Sequence, residues 1–234
     1  LLDLPDDRKH PSKCRRPLAA GTVPALQAAI LSFLLAVAPL SLAFLFMPSS
    51  FSWSLLTYFT LTLAYSFWLK RKMAIDVITL AILYTLRIIA GALAIQVPLT
   101  FWILTFSLFL FLSLALMKRF TELRQARERG QTTKAGGRGY YPDDLEMVAS
   151  MGVSSGFLSV LVLSLYIQDP STAVHYNQPQ LLWLACPVML LWITRVWFLT
   201  HRGEMQDDPV LFAVRDRTSL VTMGILAICF GVAL

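Results

Sequence analysis

The chain alternates between long apolar stretches and short polar connections. A helix needs about 20 mostly apolar residues to cross a bilayer, and seven stretches approach or reach that length. They cover residues 22–46, 52–69, 74–95, 99–117, 146–167, 180–200 and 218–234. The pattern therefore predicts an all-α integral membrane protein with seven transmembrane helices in this chain.

The polar connections are of two kinds that alternate along the chain. The charged connections are residues 1–17, 70–72, 118–144 and 201–217, and the nearly neutral ones are 47–51, 96–98 and 168–179. Of the 20 Lys and Arg residues, all except Arg87 and Arg195 fall in the charged connections. Because cytoplasmic loops carry an excess of Lys and Arg, these four loops are predicted to be cytoplasmic. We expect a multi-pass protein of the cell inner (plasma) membrane whose active face is cytoplasmic.

Composition strengthens the membrane assignment. Apolar residues make up 56% of the chain and charged residues 15%, whereas soluble domains have roughly 45–50% and about 25%. Cys14, Cys186 and Cys229 are scattered without a CxxC spacing, so neither a disulfide framework nor a zinc site is expected. The chain has no initiator Met, and we expect it to begin inside a longer protein.

The side predicted to be cytoplasmic also collects the acids. Asp169 is the one acidic residue predicted on the opposite side. Since Asp and Glu contribute little to orientation, their presence with the cations favours a functional site. The alternative is that long loops are simply polar.

The first charged connection contains a pair of acids followed by a run of cations. Asp3 and Asp7 are four residues apart, a spacing that places both carboxylates on one face of a helix end. A divalent cation would relieve their repulsion, and Mg²⁺ is typically held by one or two carboxylates plus substrate phosphates. Arg8, Lys13 and Arg16 follow and could bind those phosphates. Alternatively, the basic run could be a topology signal or a contact with anionic lipids.

Two ionisable residues fall within the third apolar stretch. Asp76 lies near its cytoplasmic end and could act in a site or simply cap the helix. Arg87 lies about 16 Å deeper. A charge at that depth needs a partner or a water-filled cavity, and a structural buried ion pair is an equally good explanation.

Two further segments carry charges beside an apolar stretch. Lys118, Arg119 and Glu122 fall within about one turn at the end of the fourth stretch, as a site or as an ordinary helix end. The connection 201–217 is rich in paired charges and could fold over the cytoplasmic face. Arg195 is expected to snorkel or to be paired.

These segments together resemble the UbiA prenyltransferase superfamily. Residues 1–7 resemble the end of its NDxxDxxxD signature, with the leading Asn-Asp falling before residue 1. The continuation DRKHPSKCRRPLAAG is similar to the DRxHPxKxxRPxAxG form of the branch that contains decaprenyl-phosphate phosphoribosyltransferases. Other stretches that resemble this branch are YSFWLKRKMAIDV, LRIIAGALA, MKRFTEL and DDPVLFAVRDR.

The resemblance implies a bundle of nine transmembrane helices, so residues 1–234 would form one UbiA-like transferase domain lacking its first two helices. It implies Mg²⁺ as cofactor and assigns roles by matching position. Asp3 and Asp7 would be metal ligands and catalytic, with Asp76 as a further catalytic acid. The residues expected to hold substrate phosphates are Arg8, Lys13, Arg16, Lys70, Lys118 and Arg119. Some similar proteins carry a haloacid-dehalogenase-like domain upstream, so a fused upstream domain stays open.

Three functions are compatible with this sequence. The favoured one joins a polyprenyl phosphate to the phosphoribosyl group of phosphoribosyl diphosphate, because the second acidic motif of aromatic prenyltransferases is replaced here by KRFTEL. The second transfers a prenyl group from a prenyl diphosphate to an aromatic or other acceptor. The third is a non-enzymatic lipid-binding or transport protein. The expected partners are these substrates and the lipid bilayer, and no nucleic acid is expected.

Overall fold

The computed structural model describes residues 13–15, 17–134, 138–173, 176–205 and 208–233. Within these residues all regular structure is helical. The α-helices are α1 (Ala25–Phe46), α2 (Ser49–Phe67), α3 (Ile75–Ala94), α4 (Phe101–Glu128), α5 (Leu145–Gln168), α6 (Pro170–Ala173), α7 (Ala185–Arg202), α8 (Pro209–Arg215) and α9 (Arg217–Ala233). Short 3₁₀ helices lie at Lys13–Arg15, Leu69–Arg71, Pro142–Asp144 and Pro179–Leu184.

Each of the seven apolar stretches coincides with one α-helix. Among the described residues, five helices are long and apolar enough to cross a membrane, and the bent pair α8–α9 would raise the number to six. Helix α2 is not among them: its Ser and Thr content lowers its mean hydropathy. The predicted count of seven spans therefore stays a prediction, whereas an all-helical multi-pass membrane protein is confirmed.

Two of the predicted charged connections contain helix. Residues 118–128 continue helix α4, which at 28 residues is about 42 Å long and exceeds the roughly 30 Å hydrocarbon core. Hydropathy ended the span at residue 117, but Leu, Arg, Gln, Ala and Glu are good helix formers. The predicted loop 201–217 contains helix α8, which Asp208 caps by accepting a hydrogen bond of 3.0 Å from the Val210 backbone N–H.

The chain divides into two compact units, residues 1–56 and 57–234, with the boundary inside α2. In the first unit, the Ser52 hydroxyl donates a 2.8 Å hydrogen bond to the Ala43 carbonyl across the turn between α1 and α2. The second unit contains the remaining helices and the buried core.

Helices α4, α5 and α7 form the centre of the second unit. At Gly152 of α5 an added Cβ would lie 2.3 Å from the Trp197 ring, and at Gly156 it would lie 2.7 Å from Ile193. The Trp197 indole N–H donates to the Ser113 hydroxyl at 3.1 Å, and this hydroxyl donates to the Gly152 carbonyl at 2.7 Å. Small residues and polar cross-links of this kind are how transmembrane helices pack closely.

Candidate functional site

A buried ion pair lies where α3 begins and α4 leaves the apolar region. Asp76 is 0% exposed and Arg119 is 1% exposed. Arg119 Nη2 lies 2.8 Å from Asp76 Oδ2. Among the described residues neither of these two atoms makes a hydrogen bond of good angle, so the pair is held by charge attraction more than by directed bonding. Two charges this deeply buried are tolerated only because they are paired.

Tyr140 forms a hydrogen bond with the other carboxylate oxygen of Asp76. Its hydroxyl donates a 2.6 Å hydrogen bond to Asp76 Oδ1 and accepts one of 2.9 Å from the Ala74 backbone N–H. Burial raises the pKa of the Tyr140 phenol above its ordinary value of 10.0, and the Asp76 carboxylate raises it further. Tyr140 is therefore a neutral donor at physiological pH.

The segment that carries Tyr140 lies directly on the backbone before α3. A Cβ added at Gly139 would be 2.6 Å from the Met73 backbone nitrogen and 3.1 Å from the Arg71 carbonyl oxygen. Only glycine fits such a close approach. Ala74, at the opposite side of this contact, has a φ of 64°, a strained value for a residue with a side chain. Through Gly139 and Tyr140, the third charged connection therefore packs against the second charged connection and the residues that follow it.

Arg138 and Glu122 surround the buried pair on its outer side. Arg138 Nη1 lies 3.6 Å from Asp76 Oδ2, and Arg138 Nε lies 3.7 Å from Glu122 Oε2. Glu122 also accepts a hydrogen bond from Arg119, and Arg138 donates one of 3.2 Å to the Tyr65 hydroxyl. Burial lowers the pKa of the Arg138 guanidinium most, but Glu122, Tyr65 and Asp76 together outweigh burial and raise the pKa. The negative charges of Asp76 and Glu122 are therefore equal in number to the positive charges of Arg119 and Arg138, so the cluster has no net charge.

Lys118 belongs to a second pair at the same end of the bundle. Its ammonium lies 2.5 Å from Asp208 Oδ2, and the two side chains are 42% and 32% exposed. Burial opposes ionisation of Asp208 most, but the hydrogen bond and charge of Lys118, with backbone hydrogen bonds from Val210 and Leu211, together lower the pKa of the carboxyl below 3.8. This contact ties α4 to the start of α8. Unlike Arg119, Lys118 keeps much of its side chain accessible.

Of the other predicted site residues, only some lie in the part of the chain that the structure describes. Lys70 lies half-buried in the 3₁₀ helix Leu69–Arg71, just before α3. The predicted residues Asp3, Asp7, Arg8 and Arg16 lie outside the described residues, and so does the side chain of Lys13. In the described part of the chain no group of three or more His, Cys, Asp or Glu side chains could hold a metal ion. The predicted magnesium site therefore stays a prediction.

The two arginines within the helices have different partners. Arg195 forms a two-point pair with Asp216, with nitrogen–oxygen distances of 2.6 and 3.1 Å, which confirms that it is paired. Arg87 is exposed and donates to the Tyr58 hydroxyl at 2.7 and 3.1 Å. The alternative of a buried ion pair for Arg87 was wrong in the described chain.

An apolar cavity of about 500 Å³ lies at the opposite end of the helices. It extends from Trp102 to Leu110 along α4 and includes Tyr166 and Tyr176. One turn below Leu110, toward the charged end, lies the hydrogen-bonded contact of Ser113 with Trp197. The cavity is therefore separated from the buried ion pair by a packed layer.

Several important residues were not singled out by the sequence. Arg138 and Gly139, the last two residues of the glycine-containing stretch QTTKAGGRG, pack against the cluster. Tyr140 was not singled out, because its hydrogen bond to Asp76 joins residues that are 64 positions apart in the chain.

Fold and charge distribution define a polytopic helical membrane protein whose ionisable side chains concentrate at one end of the bundle. A sequence model of the UbiA prenyltransferase family matches residues 1–228. The chain belongs to the UbiA prenyltransferase family, which confirms the recognised resemblance and the predicted class, a transferase.

Three relatives show how the similarity is distributed. The chain is 34% identical over 236 residues to the uncharacterized protein y4nM of Sinorhizobium fredii, covering all of this chain and 45% of that protein. It is 34% identical over 231 residues to the nodulation protein NoeC of Azorhizobium caulinodans, covering 97% of this chain and 74% of NoeC. It is 33% identical over 216 residues to decaprenyl-phosphate phosphoribosyltransferase of Mycolicibacterium smegmatis, covering 92% and 68%. The chain thus spans less than half of the first relative.

Proposed function

We propose that this chain is the membrane part of a Mg²⁺-dependent transferase that joins a polyprenyl phosphate to the phosphoribosyl group of phosphoribosyl diphosphate. The observation that carries the proposal is the family match over residues 1–228 together with the relatives named decaprenyl-phosphate phosphoribosyltransferase. The opening segment DRKHPSKCRRP, which resembles that branch, supports the same choice.

In the proposed reaction, an oxygen of the lipid phosphate forms a bond to the anomeric carbon of the ribose. The bond from that carbon to the diphosphate breaks, and the diphosphate leaves with the electron pair. Asp3 and Asp7 would hold Mg²⁺, which supplies charge stabilisation for the leaving group. Arg8, Lys13 and Arg16 would bind the diphosphate oxygens. Lys70 and Lys118 would contact substrate phosphates from the other charged connections.

The geometry suggests an indirect role for Asp76 and Arg119. Both side chains are buried and engaged with each other, so in this conformation neither can touch a substrate. We infer that they are positioning residues that fix Tyr140 and the backbone between Lys70 and α3. The direct catalytic role of Asp76 and the phosphate-binding role of Arg119, expected from matching positions, stay predictions.

The proposed location is the inner membrane with the charged end in the cytoplasm. Phosphoribosyl diphosphate is water-soluble and polyprenyl phosphate is held in the bilayer, so the two can meet only at a membrane surface. The positive charge of Lys70, Arg71 and Lys72 at this end agrees with the positive-inside rule.

The test uses the full-length protein in detergent with Mg²⁺, a polyprenyl phosphate and radiolabelled phosphoribosyl diphosphate. We expect label to enter the organic phase and to stop doing so when EDTA is added. Asp7→Ala should abolish transfer, whereas Glu128→Ala, which removes an exposed acid at the end of α4, should leave transfer unchanged.

Two results would count against the proposal. Normal transfer by Asp7→Ala would remove the proposed metal site. Absence of transfer by the parent protein, with labelled prenyl diphosphate instead reacting with an aromatic acceptor, would assign the protein to the prenyl-transfer alternative.

A further inference from the structure

Arg87 lies on the same side of α3 as Asp76, further along the helix and away from the charged end. It follows Asp76 by eleven residues, which is about three helical turns and roughly 16 Å. Eleven residues also return to nearly the same side of the helix. Between the two, Leu80 packs against the core and Leu83 is 6% exposed.

The buried side of α3 changes along the helix. Ile78 and Ile82 are 47% and 39% exposed, and at about 100° per residue they lie roughly opposite Asp76. Near Arg87 the pattern differs, because Thr85, roughly opposite Arg87, is only 8% exposed, whereas Arg87 itself is exposed. The Arg87 guanidinium is therefore accessible to a ligand.

The groups around Arg87 are aromatic and neutral. The Tyr58 hydroxyl accepts from its Nε and Nη2, and the guanidinium carbon lies 4.7 Å from the centre of the Tyr84 ring and 5.4 Å from that of Tyr58. Tyr84 is itself stacked on Phe111 with ring centres 5.1 Å apart. These contacts orient the planar guanidinium but do not neutralise its charge.

The ion pairs of the described chain do not include Arg87. Its Nη1 also has no hydrogen-bond partner among the described residues. Each of the other deep cations is matched by an acid, as Arg119 is by Asp76 and Arg195 by Asp216. An oriented cation without an anion at membrane depth is costly and by default indicates a functional site.

We propose that Arg87 and Tyr58 form a binding site for a phosphate group, about three turns along α3 from Asp76. The planar guanidinium presents paired N–H donors that match a phosphate, and Tyr58 holds it in place. The inference rests on the proposed function, in which each substrate carries a phosphate outside the leaving diphosphate. These are the lipid phosphate and the 5-phosphate of the ribose.

The experiment measures equilibrium binding to the full-length protein in lipid nanodiscs, with two separate probes. One is a short-chain polyprenyl monophosphate and the other is ribose 5-phosphate. The variants are Arg87→Gln, Arg87→Lys and Arg129→Gln. Arg129 is an exposed residue after α4, so its variant makes the same charge change away from the site.

We expect Arg87→Gln to weaken at least one probe by about tenfold or more, since hydrogen bonds to charged groups are among the strongest. Arg87→Lys should lose less, and Arg129→Gln should bind as the parent does. The probe that weakens identifies which phosphate the site takes. If Arg87→Gln does not fold, Arg87→Lys and Tyr58→Phe test the proposed site instead. Each of these two variants should weaken binding severalfold.

The proposal is overturned if folded Arg87→Gln binds both probes as tightly as the parent. It is also overturned if Arg129→Gln loses as much affinity, because the effect would then be general electrostatics, or if the parent binds neither probe. These outcomes are distinct from failure of the proposed function. Normal label transfer with unchanged binding by Arg87→Gln would reject this site alone, and phosphate binding without transfer would reject only the reaction.

Discussion

The buried pair of Asp76 and Arg119 makes a quantitative prediction about stability. Asp76→Asn keeps the size of the side chain and can still accept the hydrogen bond from Tyr140. It removes only the negative charge that faces Arg119. Arg119→Met removes the positive charge and keeps most of the buried volume.

The expected cost follows from burial. Removing one partner of a buried ion pair leaves an uncompensated charge and costs about 3–5 kcal/mol. Here Arg119 keeps Glu122, and Asp76 keeps Arg138 at 3.6 Å, so each single variant should lose about 3 kcal/mol, the low end of that range. The double variant should lose less than the sum, with a coupling of about 1–3 kcal/mol.

The measurement is unfolding in mixed micelles with increasing SDS, followed by tryptophan fluorescence and arranged as a double-mutant cycle. The pair of Arg127 with Glu146 serves as control, since its nitrogen–oxygen distance of 2.6 Å is comparable but its side chains are 53% and 70% exposed. The corresponding Arg127→Met and Glu146→Gln cycle should show a far smaller effect, because water screens exposed charges.

Two results would refute this reasoning. One is a loss below about 1 kcal/mol for Asp76→Asn, which is the value typical of an exposed pair. The other is strict additivity in the Asp76 and Arg119 cycle, which would mean that the two charges do not interact.

Two further predictions concern the charged end of the bundle. Gly139→Ala should release the segment from the Met73 backbone and expose the stretch before it to trypsin, whereas Gly91→Ala, with open space around its Cβ, should digest like the parent. For Asp208 the folded pKa is lowered, so the pair with Lys118 stabilises the protein at neutral pH. That contribution should be lost as the pH falls from about 3.8 through the lower folded pKa, and a pH series of melting temperatures should show it in the parent but not in Asp208→Asn.

The helices were largely predictable because their signal is local. Each apolar stretch consists of consecutive apolar residues, so it can be found without knowledge of the fold. The helices α1, α3, α5 and α7 match their predicted stretches within a few residues at nearly every end. The largest difference between an apolar stretch and its helix is at the end of α4, where a charged sequence remains helical. Hydropathy reports the boundary of the hydrocarbon region and not the end of a helix.

For the candidate site, the sequence predicted which residues matter but not which residues contact one another. Asp76, Arg119 and Lys118 were identified from charge and resemblance, but their partners were not. Tyr140 lies 64 residues from Asp76, and Asp208 lies 90 residues from Lys118. Pairings over such separations depend on how helices pack, which no local pattern contains.

The sequence by itself therefore determined that this is a helical membrane protein, which end carries the charge, and the family to which it belongs. These properties follow from composition, periodicity and short motifs. Only the tertiary structure decided that Asp76 and Arg119 neutralise each other, that Gly139 brings Tyr140 onto them, and that Arg87 is left without an acid among the described residues. The physical reason is that the energy of a charge depends on its neighbours in space and on the water removed from it.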